Sequence, residues 1–455
     1  LKLILKLGGD MDSNKVKKLG LLTCSAIVAG NMMGSGISLL PANLAAIGSI
    51  TIISWVLAIV GALSLAYVFA KLGTINPQEG GPIAYSEEVS PILGFQAGTL
   101  YFHANWIGNL AIAITGVAYL SFFFTPLKDP MIAGIVTIAV IWLFTIINLM
   151  GSHWIGKLTA IGVTLLLIPV IFISVVGFFY FNPDYFVQNW NVSHEGSSHA
   201  VLAGVLFCLW SFIGVESATT DANLVENPSK TIPKSTLIGS SIAALVYFLS
   251  CTAISGMFHA ETVAASGAPF SLATSHILGV WSGDVVSVFV AFGCLTSLGS
   301  WMMLVAQAGA RNAHDGILPE IFGRINKKNI PATGIILTSL MMTGLMIVMM
   351  VFSEHSTAQS MFGNVISIAV LLTIIPYFYS VLNMFRIVGL QKGKRFYQMT
   401  ACILSTLFCL AAIAGAEDVI LVAFVVVSFV TLAIYQTKDR TEFEKKVGEE
   451  TRIKD

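Results

Sequence analysis

Apolar runs long enough to cross a ~30 Å hydrocarbon layer as helices of ~20 residues recur along the whole chain. They lie near residues 20–45, 50–70, 92–124, 131–150, 158–180, 199–222, 235–258, 284–308, 332–352, 361–385, 397–416 and 418–436. Hydrocarbon offers no partner for a backbone N–H or C=O, so only helices or a closed barrel can span it. Continuous apolar runs point to helices, and the expectation is an all-α polytopic membrane protein with twelve transmembrane helices. The composition agrees: 56% of residues are hydrophobic and 11% charged, against roughly 25% charged for a soluble domain.

An even number of crossings puts both termini on one side. With that side cytoplasmic, every Lys and Arg except Lys128 falls inside or at an inner helix end, as the positive-inside rule demands. The clusters Arg311 to Lys328 and Arg386 to Arg395 then read as cytoplasmic loops. The formal net charge of zero hides this asymmetry, and with no localised basic face nucleic acid is excluded as a partner. The six cysteines (24, 208, 251, 294, 402 and 409) lie mostly in apolar runs without CxxC or Cys/His spacing. They read as packing residues, with no disulfide framework and no metal site. Leu1–Asp10 precede Met11 and are too short an apolar stretch for a signal peptide. They are expected to be non-native or to stem from an upstream start.

Two runs carry punctuation that spanning helices avoid: Gly30-Asn31-Met32-Met33-Gly34-Ser35-Gly36-Ile37 in helix 1, and Trp210-Ser211-Phe212-Ile213-Gly214-Val215-Glu216-Ser217 in helix 6. Five helices apart, they belong to halves that enter the membrane from opposite sides. That is the pattern of a 5+5 inverted repeat, in which broken helices at matching positions mark a substrate site near the midplane. Small residues alone would also suit close helix packing; the matching break favours the site. The expected organisation is a cytoplasmic segment 1–18, repeats 19–185 and 199–386, helices 11–12 at 395–436 and a cytoplasmic tail 437–455.

Glu216 is the one carboxylate in the middle of an apolar run. A charge there costs about 2.5–3.5 kcal/mol on insertion scales, and such acids usually serve an ion or substrate pathway.

These motifs, with Leu39-Leu40-Pro41-Ala42-Asn43-Leu44, Trp106-Ile107-Gly108-Asn109 and Gly316 to Pro319, resemble the amino acid–polyamine–organocation transporters from about Lys17 to Gln436. Within that superfamily the chain is similar to the basic amino acid/polyamine antiporters. Asn76 to Tyr85, Tyr101 to Trp106, Ala265 to Phe270 and Cys294 to Met303 carry that finer likeness. Where relatives that exchange arginine for agmatine have a cysteine beside the substrate side chain, this chain has Asn105.

The resemblance implies electrogenic exchange of an external cationic amino acid, lysine first, for its internal decarboxylation product, cadaverine. Alternatives are the arginine/agmatine and ornithine/putrescine pairs, or a proton- or sodium-coupled symporter on the same fold, for which Thr296 and Ser297 on helix 8 would be candidate sodium ligands. It also implies a bacterial inner membrane, a homodimer in lipid, a cytoplasmic decarboxylase as metabolic partner, support of acid resistance, and no cofactor. An enzyme fits poorly, because the loops hold no nucleotide loop, metal cluster or Ser/His/Asp set. A channel would need charge rings or carbonyl filters in a symmetric assembly.

A free cationic amino acid has three groups to satisfy. Half-helix N-termini carry roughly half a positive charge, so the backbone of Met32, Met33, Gly34, Ser35 and Gly36 is expected to take the α-carboxylate. Carbonyls at the end of a half-helix suit the α-ammonium, and Trp210, Ser211 and Ile213 supply them. The side-chain cation suits aromatic faces worth about 0.5–2 kcal/mol each: Trp301 and Trp210, with Tyr101 as a lid. By the resemblance, Ala104, Asn105, Asn109 and Ser367 line the far end. His103 is expected to point at a neighbouring helix, away from the site. Glu216 is assigned to charge coupling rather than direct contact, since a direct salt bridge would hold the cargo too tightly. Glu79, Glu87 and Glu88, in a cytoplasmic loop, could attract cationic substrate.

Overall fold

The structure, a computed structural model, describes residues 20–33, 35–75, 81–151, 155–216, 225–326, 330–352, 357–390 and 395–437. Leu1–Asp10, Gly34, Glu79, Ser217, Asp221 and the tail beyond Thr437 lie outside them. The helices, in order, are α1 (Leu21–Met32), α2 (Leu40–Ile47), α3 (Thr51–Ile75), α4 (Pro82–Glu87), α5 (Pro91–Leu120), α6 (Pro130–Met150), α7 (Ile155–Val176), α8 (Pro183–Gln188) and α9 (Ser197–Phe212). They continue with α10 (Pro228–Met257), α11 (Ala260–Ala264), α12 (Pro269–Leu278), α13 (Val280–His314), α14 (Ala332–Phe352), α15 (Ala358–Leu390), α16 (Phe396–Ala414) and α17 (Asp418–Thr437).

Among the described residues, nine helices are long and apolar enough to cross a membrane. The other three expected spans depart from that pattern for visible reasons. The span at 20–45 is split into α1, a 3₁₀ turn at Ser35–Ile37 and α2. The span at 199–222 stops as α9 at Phe212. The third, α5, is a 30-residue helix that carries Gln96, His103, Asn105 and Asn109 among its apolar positions.

α5 is the central post, packed on α15 and α13; α13 packs in turn on α7, and α10 on α1 and α3. Small residues permit a close crossing: a Cβ on Gly293 of α13 would lie 2.7 Å from the Gly162 carbonyl of α7. All six cysteines are free and buried. Outward faces stay apolar, with Ile135, Leu143 and Ile146 on α6 and Val422, Phe429 and Val430 on α17 exposed. A continuous apolar surface of this kind suits lipid.

The interruption in the first span is pinned from two sides. The Tyr247 hydroxyl on α10 donates to the Met32 carbonyl at 2.5 Å, and the Tyr119 hydroxyl on α5 donates to the Ser38 carbonyl at 2.7 Å. Carbonyls freed by the break are thereby satisfied within the protein, as a nonaqueous surrounding requires.

Candidate functional site

α9 ends because of Gly214. Ile213 turns extended (φ −63°, ψ 131°) and Gly214 has φ +103°, a conformation in which a Cβ is strained. The Trp210 carbonyl accepts from the Ile213 N–H at 3.2 Å, which leaves it one lone pair for another donor.

Trp210 joins the two breaks. A Cβ on Gly36 would lie 3.4 Å from its Nε1 and 4.0 Å from Ser211 Cα, and one on Gly108 would lie 3.1 Å from Trp210 Cη2. The indole thus runs from the interrupted first span to α5, with the Phe362 ring of α15 meeting it edge-on at 6.4 Å and 85°. Trp210 Nε1, Ser211 Oγ and Asn109 Nδ2 are buried atoms for which no described residue supplies a hydrogen bond. All three lie within one residue of the Gly108–Trp210 contact. An unpaired buried polar group costs about 1–3 kcal/mol, so each of the three is a group that a polar ligand could satisfy.

Two expected carboxylate contacts are corrected by the geometry. Met32 is the last residue of α1, so its N–H belongs to that helix, and the Met33 N–H donates to the Ala29 carbonyl at 2.7 Å. Both side chains are buried. Of the expected set, Ser35 and Gly36 form a 3₁₀ turn beyond α1, and Gly34 lies outside the described residues. The second half-helix begins only at Leu40, later than the glycines suggested.

On α5, Tyr101, Asn105 and Asn109 recur every four residues and so share a face, beside Gly108. Asn105 Nδ2 donates to the Tyr101 carbonyl at 2.6 Å, which turns its Oδ1 away from its own backbone. Ala104 is buried. Ser367 on α15 is buried and donates to the Gly363 carbonyl at 2.8 Å. Trp301 on α13 is half-buried and, like Trp210, packs against the main core. His103 accepts from Trp106 Nε1 at 2.8 Å, a bond within its own helix rather than to a neighbouring one. Thr296 donates to the Phe292 carbonyl at 2.8 Å.

Glu216, 2% exposed, is the best-held polar group of the region. The Tyr101 hydroxyl donates to its Oε1, the Tyr377 hydroxyl of α15 to its Oε2 at 2.6 Å, and the Gly214 N–H to Oε2 at 3.2 Å. The carboxylate therefore ties α5 and α15 to the break in the sixth span. Tyr101, expected as a lid, reaches Glu216. Tyr377 was missed in the sequence, although a tyrosine inside an apolar run usually seeks a partner for its hydroxyl and an intramembrane acid was the obvious one. Glu88, expected to attract substrate, holds the C-terminal part of α15: Asn383 Nδ2 donates to its Oε2 at 2.6 Å and Arg386 Nη1 to its carbonyl at 2.5 Å.

Residues 19–438 match the amino acid permease family. The chain belongs to that family. This amino acid permease is 48% identical over 426 residues, 93% of this chain and 96% of the relative, to the cadaverine/lysine antiporter of Escherichia coli strain K12. It is 34% identical over 383 residues, 84% of this chain and 86% of the relative, to the putrescine transporter PotE of the same strain. Among solved structures it resembles the manganese transporter of Eremococcus coleocola in complex with an aromatic bis-isothiourea substituted compound, with a TM-score of 0.55 at 16% identity over 93% of this chain and 97% of that one. At that identity the likeness speaks for the fold alone. The permease is thus a multi-pass membrane protein built on a transporter fold with interrupted first and sixth spans.

Proposed function

We propose that this permease exchanges external lysine for internal cadaverine. The observation that carries the reading is the 48% identity to a cadaverine/lysine antiporter across 93% of the chain, well above the 34% to a putrescine transporter. Cadaverine carries two positive charges and lysine one, so each cycle moves one net positive charge outward. Decarboxylation of lysine inside consumes a proton, and the pair of reactions would help a cell survive acid. A cytoplasmic decarboxylase, a bacterial inner membrane with both termini cytoplasmic, a homodimer and repeats at 19–185 and 199–386 belong to the same proposal.

Within the site, the α-carboxylate faces the backbone of Gly34, Ser35 and Gly36. The α-ammonium meets the carbonyls of Trp210, Ser211 and Ile213. The side-chain ammonium lies between the indoles of Trp210 and Trp301, toward Asn105 Oδ1, Asn109, Ala104 and Ser367. Glu216, held by Tyr101 and Tyr377, senses the charge of the cargo without gripping it. Purified protein in liposomes loaded with cadaverine should accumulate labelled lysine without a sodium or proton gradient. Accumulation that requires either gradient, or that proceeds equally from empty liposomes, would replace exchange with symport.

A further inference from the structure

α15 bears contacts to different parts of the molecule in a fixed order: Gln359 to α2, Phe362 to Trp210, then Ser367, then Tyr377 to Glu216, and finally Asn383 and Arg386 to Glu88. At a rise of ~1.5 Å per residue, Gln359 and Tyr377 stand roughly 27 Å apart along a straight helix, close to the thickness of a hydrocarbon core. Ser367 lies about midway. Pro376 sits inside the helix, where it removes the bond to the Leu372 carbonyl and permits a bend.

The contact at the first turn is a reciprocal amide pair. Gln359 Nε2 donates to Asn43 Oδ1 at 3.0 Å, and Asn43 Nδ2 donates to the Gln359 carbonyl at 3.3 Å. Asn43, 1% exposed, is seated over Gly363: a Cβ there would come within 2.9 Å of Asn43 Oδ1 and 3.7 Å of the Phe207 ring. α2 otherwise rests on α11 and α9. Gln359 also lines a cavity of about 520 Å³ together with Lys128, Asp129, Gly267, Thr357 and Met361. It therefore stands between that cavity, on the Lys128 side of the molecule, and the turn of α15 that touches Trp210.

We propose that the Asn43–Gln359 pair is a latch closing the passage between the Trp210 site and the cavity on the Lys128 side. Opening it frees the first turn of α15 from α2, while the bend at Pro376 lets Tyr377 stay on Glu216. Neither amide titrates, so this closure is indifferent to pH. Two neutral hydrogen bonds between polar side chains and backbone are strong enough to hold a passage shut most of the time and weak enough to break at every turnover.

The test uses Phe362→Cys, one turn past Gln359 and against Trp210, as the reporter, in a chain whose own cysteines are buried, with a membrane-impermeant thiol reagent added from the Lys128 side and no substrate present. Asn43→Ala, which removes both bonds, should speed labelling about tenfold; Gln359→Ala, which leaves the Asn43 bond to the 359 carbonyl, should speed it severalfold; and the double variant should be no faster than Asn43→Ala alone. The acceleration should be the same at pH 5.5 and 7.5. Gln359 is only partly buried, so its truncation tests the latch even if Asn43→Ala folds poorly. Unchanged labelling in Gln359→Ala, or additive effects in the double variant, would overturn the latch. The inference rests on the transport reading, yet labelling needs no turnover: a parent protein that exchanges nothing sinks that reading, and the labelling rates still decide the latch.

Discussion

Tyr377 and Glu216 lie 161 positions apart in the chain and 2.6 Å apart in space, hydroxyl to Oε2. With Tyr101 on the other oxygen, the carboxylate is shared between two helices that otherwise belong to different halves of the sequence. Hydrogen bonds to a charged group are worth about 1.5–3 kcal/mol each. Tyr377→Phe should slow lysine/cadaverine exchange about tenfold or more, while changing lysine affinity less than about threefold. Calorimetry beside exchange in liposomes separates the two, and an equal loss in both would make Tyr377 a substrate contact.

Glu216→Gln keeps the shape and one accepting oxygen for Tyr377 and Gly214, turns the other into a donor that Tyr101 must accept from, and cannot change its charge. It should still bind lysine, exchange more slowly and lose much of the pH response of exchange. Glu216→Asp, its group one methylene further back, should keep part of both. If the Gln variant tracks pH as the parent does, the coupling role passes elsewhere, with Asp221 the next candidate.

Trp301→Ala should weaken lysine binding roughly tenfold, the loss of about 1–2 kcal/mol of cation–π attraction, and Trp301→Phe should retain part because an aromatic face survives. Normal binding by both variants would remove α13 from the site.

The orientation of the Asn105 amide, with Nδ2 on the Tyr101 carbonyl, leaves an oxygen to accept from a primary ammonium. Cadaverine-loaded liposomes should therefore accumulate labelled lysine in preference to arginine. Equal uptake of both amino acids would refute that selectivity.

Gly108→Ala places a methyl 3.1 Å from Trp210 Cη2, closer than an ordinary contact, so the indole must shift toward Gly36. Lysine affinity should fall severalfold with little change in thermal stability, read by calorimetry and thermal unfolding. A drop in stability without a change in affinity would make the contact one of packing.

Much of this was legible in the sequence because its strongest signals are local. Length and hydropathy mark the spans, and Gly214 beside Glu216 marks a break that φ +103° confirms at the residue itself. Trp210 was named from a motif, and its indole does run between Gly36 and Gly108. What stayed hidden depends on contacts between distant segments. Nothing in Pro376-Tyr377 says which face of α15 meets Glu216, and nothing in Gly36 says that the second half-helix waits until Leu40, so the amides of Met32 and Met33 were assigned to an anion that α1 does not let them reach. Glu88 was read as an acid that attracts substrate, and only the packing of α4 beside α15 reveals its bonds to Asn383 and Arg386.

α5 touches both interruptions, through Tyr119 at the Ser38 carbonyl and through Tyr101 at Glu216. At ~1.5 Å per residue those two tyrosines are roughly 27 Å apart along the helix, and Gly108, set against Trp210, falls between them. A rigid rod fastened near both ends and resting on a bulky ring in the middle behaves as a seesaw. Tilting it about Trp210 would move the Ser38 and Glu216 contacts in opposite directions, so a change at one interruption would be felt at the other through a single helix.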